Sequence, residues 1–441
     1  MKNRYYSILL AYFFLCYGEM VFAKERINIV INKSAKNWTV SYISAAPIRK
    51  IVFANTPNDA REKRWHPQDL DFEIVYEDQK EYVQRKDGRP FTHVQFELTP
   101  TYTHLPKAYA PFAPFSDGGA LIHTGRFFAC ASKCSTRTEG WPINIYVDKS
   151  SHIIANGELY QHSASWTDYD DGQYVYVGQQ VPLEGTSFIA MIDEGLPNKI
   201  KTALQETIPQ LMRLFESHLG DHGSEIKPML FASYSNSQGG DIQGGTLPRQ
   251  IFIHWDMNNL ETLLADEHFV LDTLWMFAHE VAHFYQGIDN IGLTKTDSWI
   301  HEGNAEWLAA LAFQELYGES SVTFVDKKVH HAKTQCIEAL QYHSLQNAAQ
   351  HSNYRAYYDC GMIINRLLDD EIRRQSNSTS SIFTFWTEFR EAAQNTDDAG
   401  APVFWDTMKS YVSAETHENL KQLVTRELKN PRYHIENVEL K

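Results

Sequence analysis

Two stretches near the middle of the second half, FAHEVAHFYQG at residues 277–287 and SWIHEGNAEW at 298–307, constrain this chain more than any other feature. The 3.6-residue helical repeat puts His279 and His283 on one face, about one turn apart. Two imidazoles so placed can reach a single metal ion. Glu280, next to the first histidine, can reach a water on that ion without being a ligand itself. Leu271, Leu274, Trp275, Phe277, Val281 and Phe284 make the helix apolar on nearly every side, which predicts a buried central helix. Two histidines and a glutamate are costly to bury unless paired or ligated. Burial therefore favours a metal site over a core helix that merely contains histidines.

The second stretch supplies a further ligand type. Eighteen residues separate His283 from Glu302, which lies in a Trp-x-x-Glu-Gly setting at the start of another apolar helical run, EGNAEWLAALAFQELYG. HEVAH, eighteen residues and WIHEG together resemble the gluzincin metallopeptidases. The spacing is similar to that of the aminopeptidase N-like family, HExxH-x18-E. That resemblance covers about 30 residues. It implies one Zn2+ per chain held by His279, His283 and Glu302, with Glu280 as general base. It also implies a peptide or protein substrate.

Two further positions follow from the same resemblance. Glu306, one turn after Glu302, stands where thermolysin-like relatives carry an acid, and can accept the outer N–H of His279. Tyr358, in Tyr358-Asp359-Cys360-Gly361, matches a tyrosine three residues before a glycine that stabilises the tetrahedral intermediate; Tyr354 and Tyr357 compete for that role. The Gly-Ala-Met-Glu-Asn strand of the aminopeptidase branch is missing. At a comparable place the chain reads GGDIQGGTLPRQIFIHW, where Gly244 and Gly245 would let a peptide backbone approach the edge of the following strand. Asp241 is the nearby acid available to a substrate amine, although a turn aspartate is the simpler reading. His104 and His123, beside a Tyr/Pro-rich stretch, read as ordinary loop residues.

Around these motifs the chain changes texture once. INIVI, WTVSYI, KIVFA, DFEIVY, HVQFEL, INIYVD, QYVYVG and SFIAMI are short β-branched or aromatic runs punctuated by Pro, Gly, Asn and Asp, the pattern of an all-β sandwich or barrel. From Lys199 to Leu219 apolar residues recur at helical spacing. Two strand-like runs, PMLFASYS and RQIFIHW, follow, joined by what reads as a loop, and everything after Asp256 looks helical. The expected fold is α+β and multidomain: an all-β sandwich-like domain at 24–195, then a thermolysin-like, mainly α-helical catalytic domain at 196–441.

Residues 1–23 pair a basic head, MKNR, with an apolar run too short to span a bilayer comfortably and small residues at Val21 and Ala23, which predicts a cleaved secretory signal and no stable membrane span afterwards. A secreted or periplasmic location follows. There Cys130, Cys134, Cys336 and Cys360 can form disulfides in three pairings, the local one joining Cys130 to Cys134. With 43% hydrophobic residues the chain can bury a large core. Its net charge of -15, with no run of basic residues, argues against nucleic acid. Two other functions fit the same motifs: a non-catalytic peptide-binding protein on this scaffold, and a zinc hydrolase of non-peptide bonds.

Overall fold

A computed structural model describes residues 26–35, 37–105, 108–131, 134, 140–237, 240–287, 291–396 and 400–439. The expected signal at 1–23 lies outside them. Among the described residues no helix is long and apolar enough to cross a membrane.

The β-branched runs of the first half form three sheets. Six strands order as Ser163–Asp168, Trp141–Val147, Ile27–Lys33, Trp38–Ile48, Phe91–Leu98 and Trp65–Pro67. In INIVINK every second residue is buried, the period-2 signature of a sheet with one face on a core. A four-stranded sheet (Ala129–Cys130, Lys50–Phe53, Lys80–Arg85, Phe72–Glu77) packs with it around Tyr42, Phe53, Trp65 and Phe96. Tyr42 stacks on Trp65 at 6.4 Å, and Trp65 on Phe127 at 5.3 Å. The third sheet has five strands, in the order Glu158–Tyr160, His152–Ala155, Tyr174–Gly178, Ala120–His123, Phe112–Pro114.

The expected boundary at 195/196 meets a continuous fourth sheet. Its five strands order as Leu183–Glu184, Ile189–Ile192, Met229–Ser235, Gln250–Asp256 and Asp241–Leu247. Strand Ile189–Ile192, whose run SFIAMI reads as part of the β-rich half, pairs in parallel with Met229–Ser235, and helix Asn198–Leu219 is the crossover between them. This sheet is covered on both faces. Ala190, Ile192, Ile251, Ile253 and Trp255 pack toward the helices, while Ile189, Met191, Phe231 and Phe252 pack against Tyr174, Tyr176 and Phe115 of the third-sheet side. That two-sided burial explains why QIFIHWD is buried at every position, its polar Gln250, His254 and Asp256 included.

A second difference concerns Asp241–Leu247. The Gly-rich segment expected to be a loop is a strand, antiparallel to Gln250–Asp256 over seven paired residues and at the edge of the sheet. Gly244 and Gly245 therefore lie on the edge strand itself, not beside the edge of the following one.

After Asp256 the described residues hold helices and no strand. Four of the helices matter below: the crossover helix, the histidine helix Glu267–Gln286, the glutamate helix Ser298–Tyr317 and the tyrosine helix Arg355–Gln375. The cysteines pair as Cys130–Cys134 and Cys336–Cys360. The second bridge ties the tyrosine helix to the preceding helix Val322–Leu340.

Candidate metal centre and cleft

The histidine helix starts at Asp266, whose side chain accepts from the amide of His268, and stops at Gly287, which takes the left-handed conformation (φ 66°) that glycine adopts without a steric penalty. His279 is buried on its inner face, and His283 and Glu280 lie one turn and one residue on, half-buried. The glutamate helix crosses so that Glu302 meets both histidines. Nε2 of His279 and Nε2 of His283 each lie 3.2 Å from Oε2 of Glu302, and 3.1 Å from one another.

These three atoms form a nearly equilateral triangle. Ligands about 2.0–2.1 Å from one tetrahedral metal ion are separated by roughly 3.3–3.4 Å, so the triangle fits one face of such a site with little adjustment. Two nitrogens and a carboxylate oxygen are also the donor set that zinc accepts while leaving a fourth position open. Among the described residues, His279, His283 and Glu302 are the one group of three or more potential ligands drawn together in this way.

The hydrogen bonds around the triangle decide which ring nitrogen of His283 faces it. Gln286 Nε2 donates to the carbonyl of His301 (3.0 Å) and to Oδ1 of Asn304 (2.7 Å), which turns its Oε1 toward His283. That oxygen accepts from Nδ1 of His283 at 2.7 Å, so Nε2 carries the lone pair. The network continues from Asn304 to Oδ1 of Asn365, and from Asn365 to the carbonyl of Gly361. For His279 the partner is Glu306: Oε1 stands 3.6 Å from Nδ1, an ion-pair distance longer than a hydrogen bond, while Oε2 accepts from the indole N–H of Trp275 at 2.6 Å. His301 holds the other side of Glu302, with Nε2 3.4 Å from Oε1.

Electrostatics follow from this crowding. Burial disfavours the Glu302 carboxylate, but hydrogen bonds from His279, His283 and His301 hold it far below the usual carboxylate range. Burial likewise disfavours charge on His279. Glu302, Glu306 and Glu280 outweigh it and raise its pKa to about 9.

Of the three tyrosines in NYRAYYDCG, Tyr358 reaches the site. Its ring stacks on His279 at 5.7 Å and 23°. Burial first, then the charges of Glu302 and Glu280, push its pKa well above 10, so its hydroxyl remains a donor. Tyr357 is buried in the core with its hydroxyl on the amide of Ala349, and Tyr354 is exposed. The reason Tyr358 arrives there is a backbone contact. A Cβ added to Gly303 would lie 2.1 Å from Cα of Gly361, so the glutamate and tyrosine helices touch through two glycines, one residue after Glu302 and three after Tyr358.

The triangle opens into a cleft of about 1430 Å³ walled by both halves of the chain. Glu280, His283, His301 and Glu302 line one side. Gln243, Gly244 and Thr246 of the edge strand line the cleft as well, together with His104, Tyr109, His123 and Arg126 from the β-rich half. Gly244 is open to the cleft, whereas the space beside Gly245 is filled by Tyr109, whose hydroxyl would lie 2.6 Å from a Cβ there. Asp241 opens the edge strand, 3.8 Å from Nδ1 of His104. His104 and His123 are thus cleft residues. The latter ends strand Ala120–His123 and is 2% exposed. Sequence reasoning missed Gln286, His301, Tyr109 and Arg126. Gln286, three residues after His283, carried a periodic signal; the others carried none.

No protein-family model matches this sequence, and no curated protein matches it significantly. Solved structures do match. An aminopeptidase N family protein from Idiomarina loihiensis superposes with a TM-score of 0.57 at 10% identity, over 93% of this chain and 78% of that one. The fold is the aminopeptidase N-like gluzincin fold. An M1 zinc metallopeptidase in complex with L-arginine matches with a TM-score of 0.49 at 13% identity, covering 92% of this chain and 95% of that one. A related enzyme from Deinococcus radiodurans, bound to a Tyr-Ser-Ala substrate, gives 0.47 at 12% identity, over 93% and 97% of the two chains. The gluzincin fold, β-rich sheets followed by a helical region, is the α+β architecture expected from the sequence.

Proposed function

We propose that this chain is a secreted zinc-dependent metallopeptidase with an aminopeptidase-like cleft, binding one Zn2+ through His279, His283 and Glu302. The observation that carries the reading is the triangle of ligand atoms, 3.1–3.2 Å on each side, with Glu280 beside it on the wall of an open cleft. Zinc held there supplies Lewis acidity and lowers the pKa of a water toward about 7. Glu280 takes a proton from the attacking water and delivers it to the leaving amine. Tyr358, kept protonated, donates its hydroxyl to the oxygen of the carbonyl under attack. Gln286 and Glu306 hold the two imidazoles in orientation. The exposed edge of Asp241–Leu247, open at Gly244, accepts an extended substrate backbone as an added strand.

Export is supported by the basic head and apolar run at 1–23 and by two disulfides, which persist in oxidising compartments. The test combines metal analysis with Glu280→Gln. Glu280→Gln is expected to keep one zinc and its fold while peptide hydrolysis falls by at least about 10²-fold. A protein that binds no zinc, or full activity without the carboxylate, defeats the proposal. Assays on peptides with free and acetylated N-termini divide exo from endo cleavage.

A further inference from the structure

In the cleft that holds the metal-ligand triangle, the β-rich half presents a cation with no ion-pair partner among the described residues. Arg126 ends the short turn Thr124–Arg126. Its Nε donates to the carbonyl of Tyr109 at 2.7 Å, and its own carbonyl receives Nε and Nη2 of Arg61 at 3.2 and 2.6 Å. The guanidinium is therefore fixed at its base. Among the described residues its two terminal nitrogens have no hydrogen-bond or ion-pair partner, and the residue lines the cleft. Burial, and then the Arg61 guanidinium, disfavour its charge, and Asp171 attracts it only from beyond ion-pair distance.

Beside it stands a second unsatisfied group. His123 is 2% exposed and lines the same cleft, yet neither Nδ1 nor Nε2 has a partner among the described residues. Its ring is held between Tyr109 at 5.7 Å and Tyr174 at 5.0 Å. An imidazole buried without a hydrogen bond is costly unless a ligand completes it. A carboxylate fits both defects: a planar pair of oxygens for the terminal nitrogens of Arg126, and an acceptor for one imidazole N–H.

Tyr109 connects this corner to the reacting centre. Its carbonyl holds Arg126, its ring touches His123, its hydroxyl donates to the carbonyl of Thr246 on the edge strand at 2.9 Å, and burial, then the charge of Glu280, raise its pKa. Asp171, Glu225, Glu280 and Glu302 on the cleft wall repel an anion near them, and of the two arginines there Arg249 is exposed, whereas Arg126 is half-buried beside His123.

We propose that Arg126 and His123 form a carboxylate-binding subsite that holds either the free C-terminus or an acidic side chain of a short peptide in this cleft. The proposal deepens the peptidase reading and rests on it.

The test uses the full chain loaded with zinc and carrying Glu280→Gln, so that binding is read without turnover. Titration calorimetry compares trialanine, trialanine amide and Ala-Ala-Glu amide. Trialanine binding at least about tenfold tighter than its amide assigns the C-terminal carboxylate; the same gain for Ala-Ala-Glu amide assigns the side chain. Either preference is expected to vanish on adding Arg126→Gln. It is expected to shrink on adding His123→Leu, which leaves the contacts of Arg126 with Tyr109 and Arg61 intact and serves if Arg126→Gln does not fold. Equal binding of all three peptides, or a preference that survives the Arg126 and His123 substitutions, overturns the subsite. Cleavage of the peptides by the unsubstituted enzyme is scored separately. An Arg126-dependent preference without any cleavage removes the peptidase reading alone, cleavage without preference removes the subsite alone, and binding of none removes both.

Discussion

His279 carries two opposed demands. Burial disfavours its charged form, while Glu302, Glu306 and Glu280 favour it, and the result is a pKa of about 9 in the metal-free chain. The unfolded value is about 6.5, so this group contributes stability that is fully present below about pH 6.5 and is lost as pH rises through about 9. Zinc requires the same nitrogen deprotonated. The melting temperature of chelator-treated protein should therefore fall between pH 6.5 and 9, and zinc affinity measured by titration should rise over that interval. Zinc affinity that stays flat across it contradicts the assignment of His279 as a ligand. At this scale His279 and His283 were legible because a helical period puts them on one face, and Glu280 because it adjoins the first. Arg126 and His123 were not, because their significance lies in lacking partners, which a sequence does not display.

The motif helices owe their relative position to glycine. Gly303 and Gly361 let two backbones touch, and this contact sets Tyr358 beside Glu302. Gly303→Ala puts a methyl 2.1 Å from Cα of Gly361, so the helices must separate by over an ångström. The expected outcome is a stability loss of about 1–3 kcal/mol by denaturant titration, with peptidase activity reduced by roughly 10²-fold as Tyr358 is displaced. Unchanged activity in a folded Gly303→Ala protein would mean that Tyr358 does not act at the site. The sequence marked both glycines as motif members without giving their reason. It also misplaced DIQGGTL as a loop, since glycine weakens a strand locally; seven cross-strand pairings with Gln250–Asp256 override that preference.

For the molecule as a whole, the fourth sheet binds the halves together. Its Ile189–Ile192 strand comes from the far side of the expected 195/196 boundary, and one face of the sheet is covered by Phe115, Tyr174 and Tyr176. A fragment of residues 196–441, though it retains every metal-ligand candidate, is expected to be insoluble or molten because a central strand and an aromatic cover are missing. Cooperative unfolding of that fragment by calorimetry would show the helical region to be autonomous. The sequence by itself determined the order of β-rich and helical segments and marked the three candidate ligands, because those depend on periods of two and 3.6 and on spacing along the chain. Only the tertiary structure decided which strand lies at the sheet edge in the cleft, which tyrosine faces the candidate ligands and which half-buried cation has no ion-pair partner among the described residues. Each of those is a relation between elements, set by sheet order and helix crossing and not by any local pattern.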